Sequence, residues 1–221
     1  RQQCLKLKIR SLRRAFPYAL RKVARIRIID YGAGNLSSIG NALEYLGNTI
    51  IVSSVPFGPK DQDFVVLPGV GSFGFAMDAM QKHQTVHSIR EFVQLGGGLL
   101  GICLGMQLML TTGLENGESN GLGLISGEVI ALPSITAMGQ TRLVPRTEWA
   151  TISQAENAND LPRSGLPELL ATNSYYYFCH SYHVRMDSDA EVMATTDYTG
   201  FVYPAIIRSR NIFGVPNSGH P

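Results

Sequence analysis

The stretch from Leu99 to Gly105 leaves the chain few ways to fold. Leu99-Leu100-Gly101-Ile102 is a wholly apolar run of strand length, and Cys103-Leu104-Gly105-Met106-Gln107 follows it without a polar linker. A strand that turns into a helix through Gly-x-Cys-x-Gly is a nucleophile elbow. The central residue adopts a strained backbone, and the flanking glycines relieve crowding around the turn. The thiol of Cys103 is thereby lifted to the carboxyl edge of a sheet and set at a helix N-terminus. There the helix dipole is expected to lower its pKa and favour the thiolate. A cysteine in an apolar run is otherwise a buried core residue, and the paired glycines argue for the nucleophile instead.

The same stretch needs a membrane test, because no formal charge occurs from Phe92 to Leu114, and Gly97, Gly101 and Gly105 have the spacing of a helix-packing seam in lipid. Three consecutive glycines, Gly96 to Gly98, break any continuous helix there, so a strand, turn and helix are expected rather than a span.

Upstream, apolar β-branched runs alternate with helical periodicity. Strands are expected at Ile26 to Ile29, Thr49 to Ser53 and Phe64 to Leu67, with helices at Leu36 to Leu46, Phe75 to Met80 and Val86 to Leu95. Unbroken apolar strands separated by helices imply a mostly parallel sheet covered on both faces. The second half differs. Val129 to Leu132, Arg142 to Val144, Tyr175 to Phe178, Val192 to Thr196, Phe201 to Ile207 and Ile212 to Val215 read as strands with little helix between them, which predicts antiparallel additions to the sheet. Met138 to Pro167 is polar, interrupted by Pro145, Pro162 and Pro167, and expected to be loop. The fold class is therefore α/β, a mostly parallel central sheet flanked by helices with antiparallel additions in the C-terminal half.

Charge divides the chain. Ten of the 19 basic residues precede the first acid, Asp30, whereas the chain from Ile28 onward carries nine basic against 17 acidic residues, a net charge of −8. Residues 1–25 are accordingly expected to be a basic extension outside the fold, and residues 26–221 a single domain. An acidic body is a poor surface for nucleic acid phosphates, so no nucleic acid partner is expected, and no membrane. The cysteines Cys4, Cys103 and Cys179 are odd in number, sparse and without metal-ligand spacing, which predicts neither a disulfide framework nor a structural metal and suits a reducing cytoplasm.

A nucleophile attacking a carbonyl needs an oxyanion hole. Leu67-Pro68-Gly69-Val70-Gly71 ends an earlier strand at the same sheet edge, and the amide of Val70 or Gly71, together with that of Leu104, is the expected donor set.

With these segments in place, Gly101-Ile102-Cys103-Leu104-Gly105-Met106-Gln107 resembles the nucleophile motif of class I (triad) glutamine amidotransferases. Ile28 to Asn35, Pro68 to Gly74, Gly121 to Ile125 and His180-Ser181-Tyr182 resemble one branch, the glutaminase subunits of imidazole glycerol phosphate synthase. The resemblance runs from about Ile26 to Val215. It implies hydrolysis of glutamine through a thioester on Cys103, with ammonia passed to a separate (β/α)₈-barrel synthase subunit in a heterodimer of histidine biosynthesis, and no cofactor. By position it implies that Gln107, His180, Ser181 and Tyr182 hold substrate glutamine and that Val70 lends an oxyanion amide. The alternatives are an ammonia-supplying subunit for another synthase and a catalytically impaired glutaminase-like binding module.

Two segments depart from the family pattern. Where the family has Gly-Val-Gln-Phe-His-Pro-Glu, supplying base and orienting acid, this chain reads Gly214-Val215-Pro216-Asn217-Ser218-Gly219-His220-Pro221. His220 is then the catalytic base in sequence terms, two residues late in register and without the glutamate, and the end is expected to be divergent or truncated. The other is Pro145-Arg146-Thr147-Glu148-Trp149-Ala150, in place of a family Gly-Trp-Asn core that faces the synthase. Glu148 at a glycine position is expected to strain the local backbone.

Overall fold

A computed structural model describes residues 23–156 and 175–216 of the 221-residue chain. The elements in order are β1 (Arg25–Ile29), α1 (Leu36–Tyr45), β2 (Thr49–Ser53), β3 (Phe64–Leu67), α2 (Phe73–Lys82), α3 (Thr85–Gln94), β4 (Gly98–Ile102) and α4 (Leu104–Leu108). They continue with β5 (Thr112–Gly113), β6 (Ser119–Asn120), β7 (Gly127–Ala131), β8 (Arg146–Thr151), β9 (Ser153–Gln154), β10 (Tyr175–His180) and β11 (Tyr182–Met186). The last are β12 (Val192–Tyr198), β13 (Phe201–Ser209) and β14 (Ile212–Val215).

The central sheet has the order β2-β1-β3-β4-β14-β13-β12-β9. Its first five strands pair in parallel and its last three are added antiparallel. Strand residues supply both faces alternately. Phe64, Val66 and Leu100 pack with α1 and with Tyr176 and Phe178 on one side. Val65, Leu67 and Leu99 pack on the other with Phe73, Met77 and Met80 of α2 and Ile89 and Phe92 of α3. Burial on both faces is why these strands are apolar at every position rather than at alternate ones. The pair β8–β10 and the sheet β11-β7-β5-β6 stand beside the central sheet.

Several expectations are corrected. Arg142 to Val144 is not a strand. Arg142 is buried and its guanidinium donates to the carbonyls of Pro133, Ile135, Tyr198 and Thr199, tying a loop down in place of a ladder. Conversely, the stretch expected to be loop holds β8 and β9, because the inward residue of β8 is an arginine, which hides the apolar alternation. Glu148 lies in extended backbone outside the positive-φ region, so it imposes no strain. At the N-terminal side, β1 starts at Arg25, whose side chain pairs with Asp63 at 3.3 Å, so one residue of the expected extension belongs to the sheet. No helix among the described residues is long and apolar enough to cross a membrane.

Candidate active site

Cys103 sits between β4 and α4 at φ 55°, ψ −112°, a conformation that costs a non-glycine residue on the order of 1–3 kcal/mol. The elbow is held from both sides. The Cys103 amide donates to the Val215 carbonyl at 3.0 Å, and the Cys103 carbonyl accepts from Met106 at 3.0 Å and Gln107 at 3.3 Å. A Cβ at Gly105 would overlap the Leu67 carbonyl oxygen, and one at Gly101 would lie 2.6 Å from the Gly105 carbonyl oxygen. Backbone contact of β3, β4 and α4 therefore needs both glycines. Gly105→Ala should cost more than about 3 kcal/mol, read as a fall in Tm on the order of 10 °C. An unchanged Tm would show that the elbow is slack.

Gly69 is as tightly placed, since a Cβ there would lie 2.9 Å from the Leu104 Cβ and collide with the Tyr31 hydroxyl, which itself donates to the Pro68 carbonyl at 2.7 Å. The Pro68 to Gly71 loop is thus pressed against the N-terminus of α4. Val70 is exposed, and Gly71 has a positive φ of 104°.

Beside the elbow lies a cleft lined by Cys103, Met106, Gln107, Phe178, Cys179, His180, Tyr182, His183, Val184, Tyr203, Pro204, Ala205 and Pro216. Cys103, Gln107, His180 and Tyr182 are so brought together. Ser181 occupies the bend between β10 and β11, with its carbonyl accepting from Leu132. His220 lies outside the described residues, as does Cys4. Sequence reasoning missed Tyr203, Met106, Phe178 and Pro216. Tyr203 carries no motif and reaches the cleft only because β13 follows β14 in the sheet.

The thiol differs from expectation. Burial pushes Cys103 up to about 11, against the Leu104 amide hydrogen bond, which pulls it down, while Cys179 adds a smaller upward push. The helix expected to depress it has only five residues, so few peptide dipoles align behind the sulfur. Leu104, assigned to the oxyanion, here directs its amide to the sulfur.

Gln107 donates through Nε2 to the Tyr182 carbonyl at 2.9 Å, which leaves its Oε1 as an acceptor. The same carbonyl lies 2.9 Å from His180 Nδ1. A carbonyl can only accept, so Nδ1 carries the ring proton and Nε2 accepts, from the Tyr203 hydroxyl at 3.0 Å. Burial is the main cause that lowers His180 to about 4, with Arg146 and His183 adding to it against the Tyr182 bond. His183 is buried, its Nδ1 meets the Val184 carbonyl at 3.0 Å, and its Nε2 has no hydrogen-bond partner among the described residues. No group of three His, Cys, Asp or Glu among those residues is placed to hold a metal ion.

The family model described as "Glutamine amidotransferase class-I" matches residues 27–216, which span the sheet, the elbow and the cleft. The chain belongs to the class-I glutamine amidotransferases. Within that family it is 39% identical over 189 residues to the imidazole glycerol phosphate synthase subunit HisH of Bacillus subtilis (strain 168), covering 86% of this chain and 85% of that protein. It is 34% identical over 192 residues to imidazole glycerol phosphate synthase subunit HisH 1 of Legionella pneumophila (strain Lens), covering 87% and 90%. Among solved structures, a glutamine amidotransferase superposes with a TM-score of 0.60 at 16% identity, covering 89% of each chain. PurLQS from Thermotoga maritima superposes at 0.60 and 17%, covering 88% of this chain and 86% of that one. This amidotransferase therefore shares the fold of its structural neighbours, a mainly parallel central sheet with antiparallel additions.

Proposed function

We propose that this amidotransferase hydrolyses glutamine on Cys103 and passes the ammonia to a barrel-type synthase subunit that forms imidazole glycerol phosphate in histidine biosynthesis. The observation that carries the reading is the strained Cys103 at the mouth of a cleft whose polar groups come from Gln107 and the His180–Tyr182 turn. The relatives' names supply the synthase. The cleft walls from Met106, Phe178, Pro204 and Ala205 suit the methylenes of glutamine, and the free Oε1 of Gln107 suits its ammonium group.

The sulfur attacks the side-chain amide carbon, and the oxygen takes the negative charge that the Leu104 amide and that of Val70 or Gly71 stabilise. A base takes the thiol proton and returns it to the leaving nitrogen, so ammonia departs and a glutamyl thioester remains. Water then cleaves the thioester to glutamate and restores the thiol. The base belongs to the segment after Val215, whose carbonyl already accepts from the Cys103 amide; His220 is the histidine there. A thiol raised to about 11 is mostly protonated near neutrality, so its attack depends on that base. A cytoplasmic site accords with a nucleophile that must stay reduced.

Labelling separates this reading from a bystander thiol. A chloroketone analogue of glutamine should modify Cys103 before Cys179, because the cleft orients it. Iodoacetamide should favour exposed Cys179, and its reaction at Cys103 should rise about tenfold per pH unit from pH 7 towards 10, as expected of a raised thiol pKa. Peptide mapping reads both. Equal labelling of the two cysteines by the chloroketone would remove the case for a glutamine site.

A further inference from the structure

A buried line of hydrogen bonds runs from β8 to the elbow, and the thioester chemistry does not use it. Arg146 is fully buried under the ring of Phe178, 4.2 Å from its Cζ. Its guanidinium pairs with half-exposed Glu148 at 2.8 Å and donates to the Thr196 hydroxyl at 3.2 Å, the Asp197 carbonyl at 3.1 Å and the Tyr203 hydroxyl at 2.7 Å. Arginine can only donate, so the Tyr203 oxygen is the acceptor there, and its own proton goes to His180 Nε2. Nδ1 of the same ring donates to the Tyr182 carbonyl, which also takes the Gln107 amide. Each donor has one available acceptor, and the last member lies one turn past Cys103.

We propose that Arg146 and Tyr203 are positioning residues for glutamine hydrolysis, locking His180 in its Nδ1–H tautomer and so fixing the Tyr182 carbonyl and the Gln107 amide that it holds. The proposal rests on reading the cleft as the glutaminase site. Reversing the line would set the Nδ1 lone pair against the Tyr182 carbonyl oxygen and deprive the Tyr203 proton of its acceptor at Nε2. The titratable groups facing the ring are Arg146 of β8, Tyr203 of β13 and His183 of β11, while Cys103 and Cys179 line the same cleft. Glu148 is engaged by Arg146. Burial raises Tyr203 to about 12, so it remains a donor throughout the working range. Fixing Gln107 by its amide sets where its Oε1 meets the substrate, so the lock is expected in KM rather than kcat.

Tyr203→Phe removes the hydroxyl and keeps the ring. Imidazole ¹⁵N NMR of the full chain should show His180 as the Nδ1–H tautomer with a midpoint near 4 in the parent. In the variant the ring is held only through Nδ1 and can turn away from the Tyr182 carbonyl, so mixed tautomers should appear, and the midpoint should move up as the hydrogen bond that favours the neutral ring is lost. With the synthase subunit present, KM for glutamine should rise about fivefold and kcat should change less than about twofold, the loss expected of one orienting hydrogen bond. An Nε2–H tautomer in the parent overturns the lock without any variant having to fold. An unshifted His180 in Tyr203→Phe overturns it as well, and a shifted His180 with unchanged KM overturns the positioning role. A locked His180 in a parent that cannot hydrolyse glutamine overturns the functional reading, and with it the positioning role, while the NMR result stands apart.

Discussion

Cys103→Ser should lower glutamate release from glutamine by about 10⁴-fold or more, measured with the barrel-type synthase subunit present, while leaving Tm within about 2 °C of the parent. Serine keeps the size and the positive φ of 55° at the elbow, so the sheet edge should not change. What is lost is the acidity and polarisability of sulfur. A hydroxyl in a site that already pushes a thiol up to about 11 through burial is still harder to ionise. Serine enzymes compensate with a well-oriented base, and here the base proposed above belongs to a segment whose sequence register departs from the family. Residual turnover above a tenth of the parent's would mean that Cys103 forms no thioester.

The second large effect is an expected gain. Replacing Pro216-Asn217-Ser218-Gly219-His220 with Gln-Phe-His-Pro-Glu should raise turnover by roughly 10²- to 10⁴-fold, the usual contribution of a positioned general base. β14 pairs with β4 so that Val215 lies beside Ile102, and the Val215 carbonyl accepts from the Cys103 amide. The chain thus leaves β14 alongside the thiol, and Pro216 already lines the cleft. In sequence, His220 comes two residues later than the family pattern has its histidine, and no glutamate follows it in the Pro-Glu position. The replacement puts the ring at 218 and an orienting carboxylate at 220. Glutamate release by both chains decides the matter. Equal rates would show that the base is elsewhere, with His183, whose Nε2 lies unpartnered in the cleft wall, the first to replace.

What sequence alone determined was the parallel half of the sheet and the elbow. Phe64 to Leu67 and Leu99 to Ile102 are apolar at every position because both faces of their sheet are covered. Gly101 and Gly105 flank Cys103 because neighbouring backbone leaves no room for a Cβ. These demands act within a few residues, so they leave a pattern in one stretch of chain. β8 left no such pattern, since its inward side chain is Arg146, a residue that ordinarily marks a surface. Only the tertiary structure buried that guanidinium, by bringing Phe178, Thr196, Asp197 and Tyr203 around it from distant strands. It likewise decided the state of the thiol. A cysteine at a helix N-terminus reads as acidic, but desolvation depends on what the other strands pack over the sulfur. Against a five-residue helix, burial is the stronger effect. Local backbone geometry is written locally, whereas burial and hydrogen-bond partnership are sums over residues far apart in the chain.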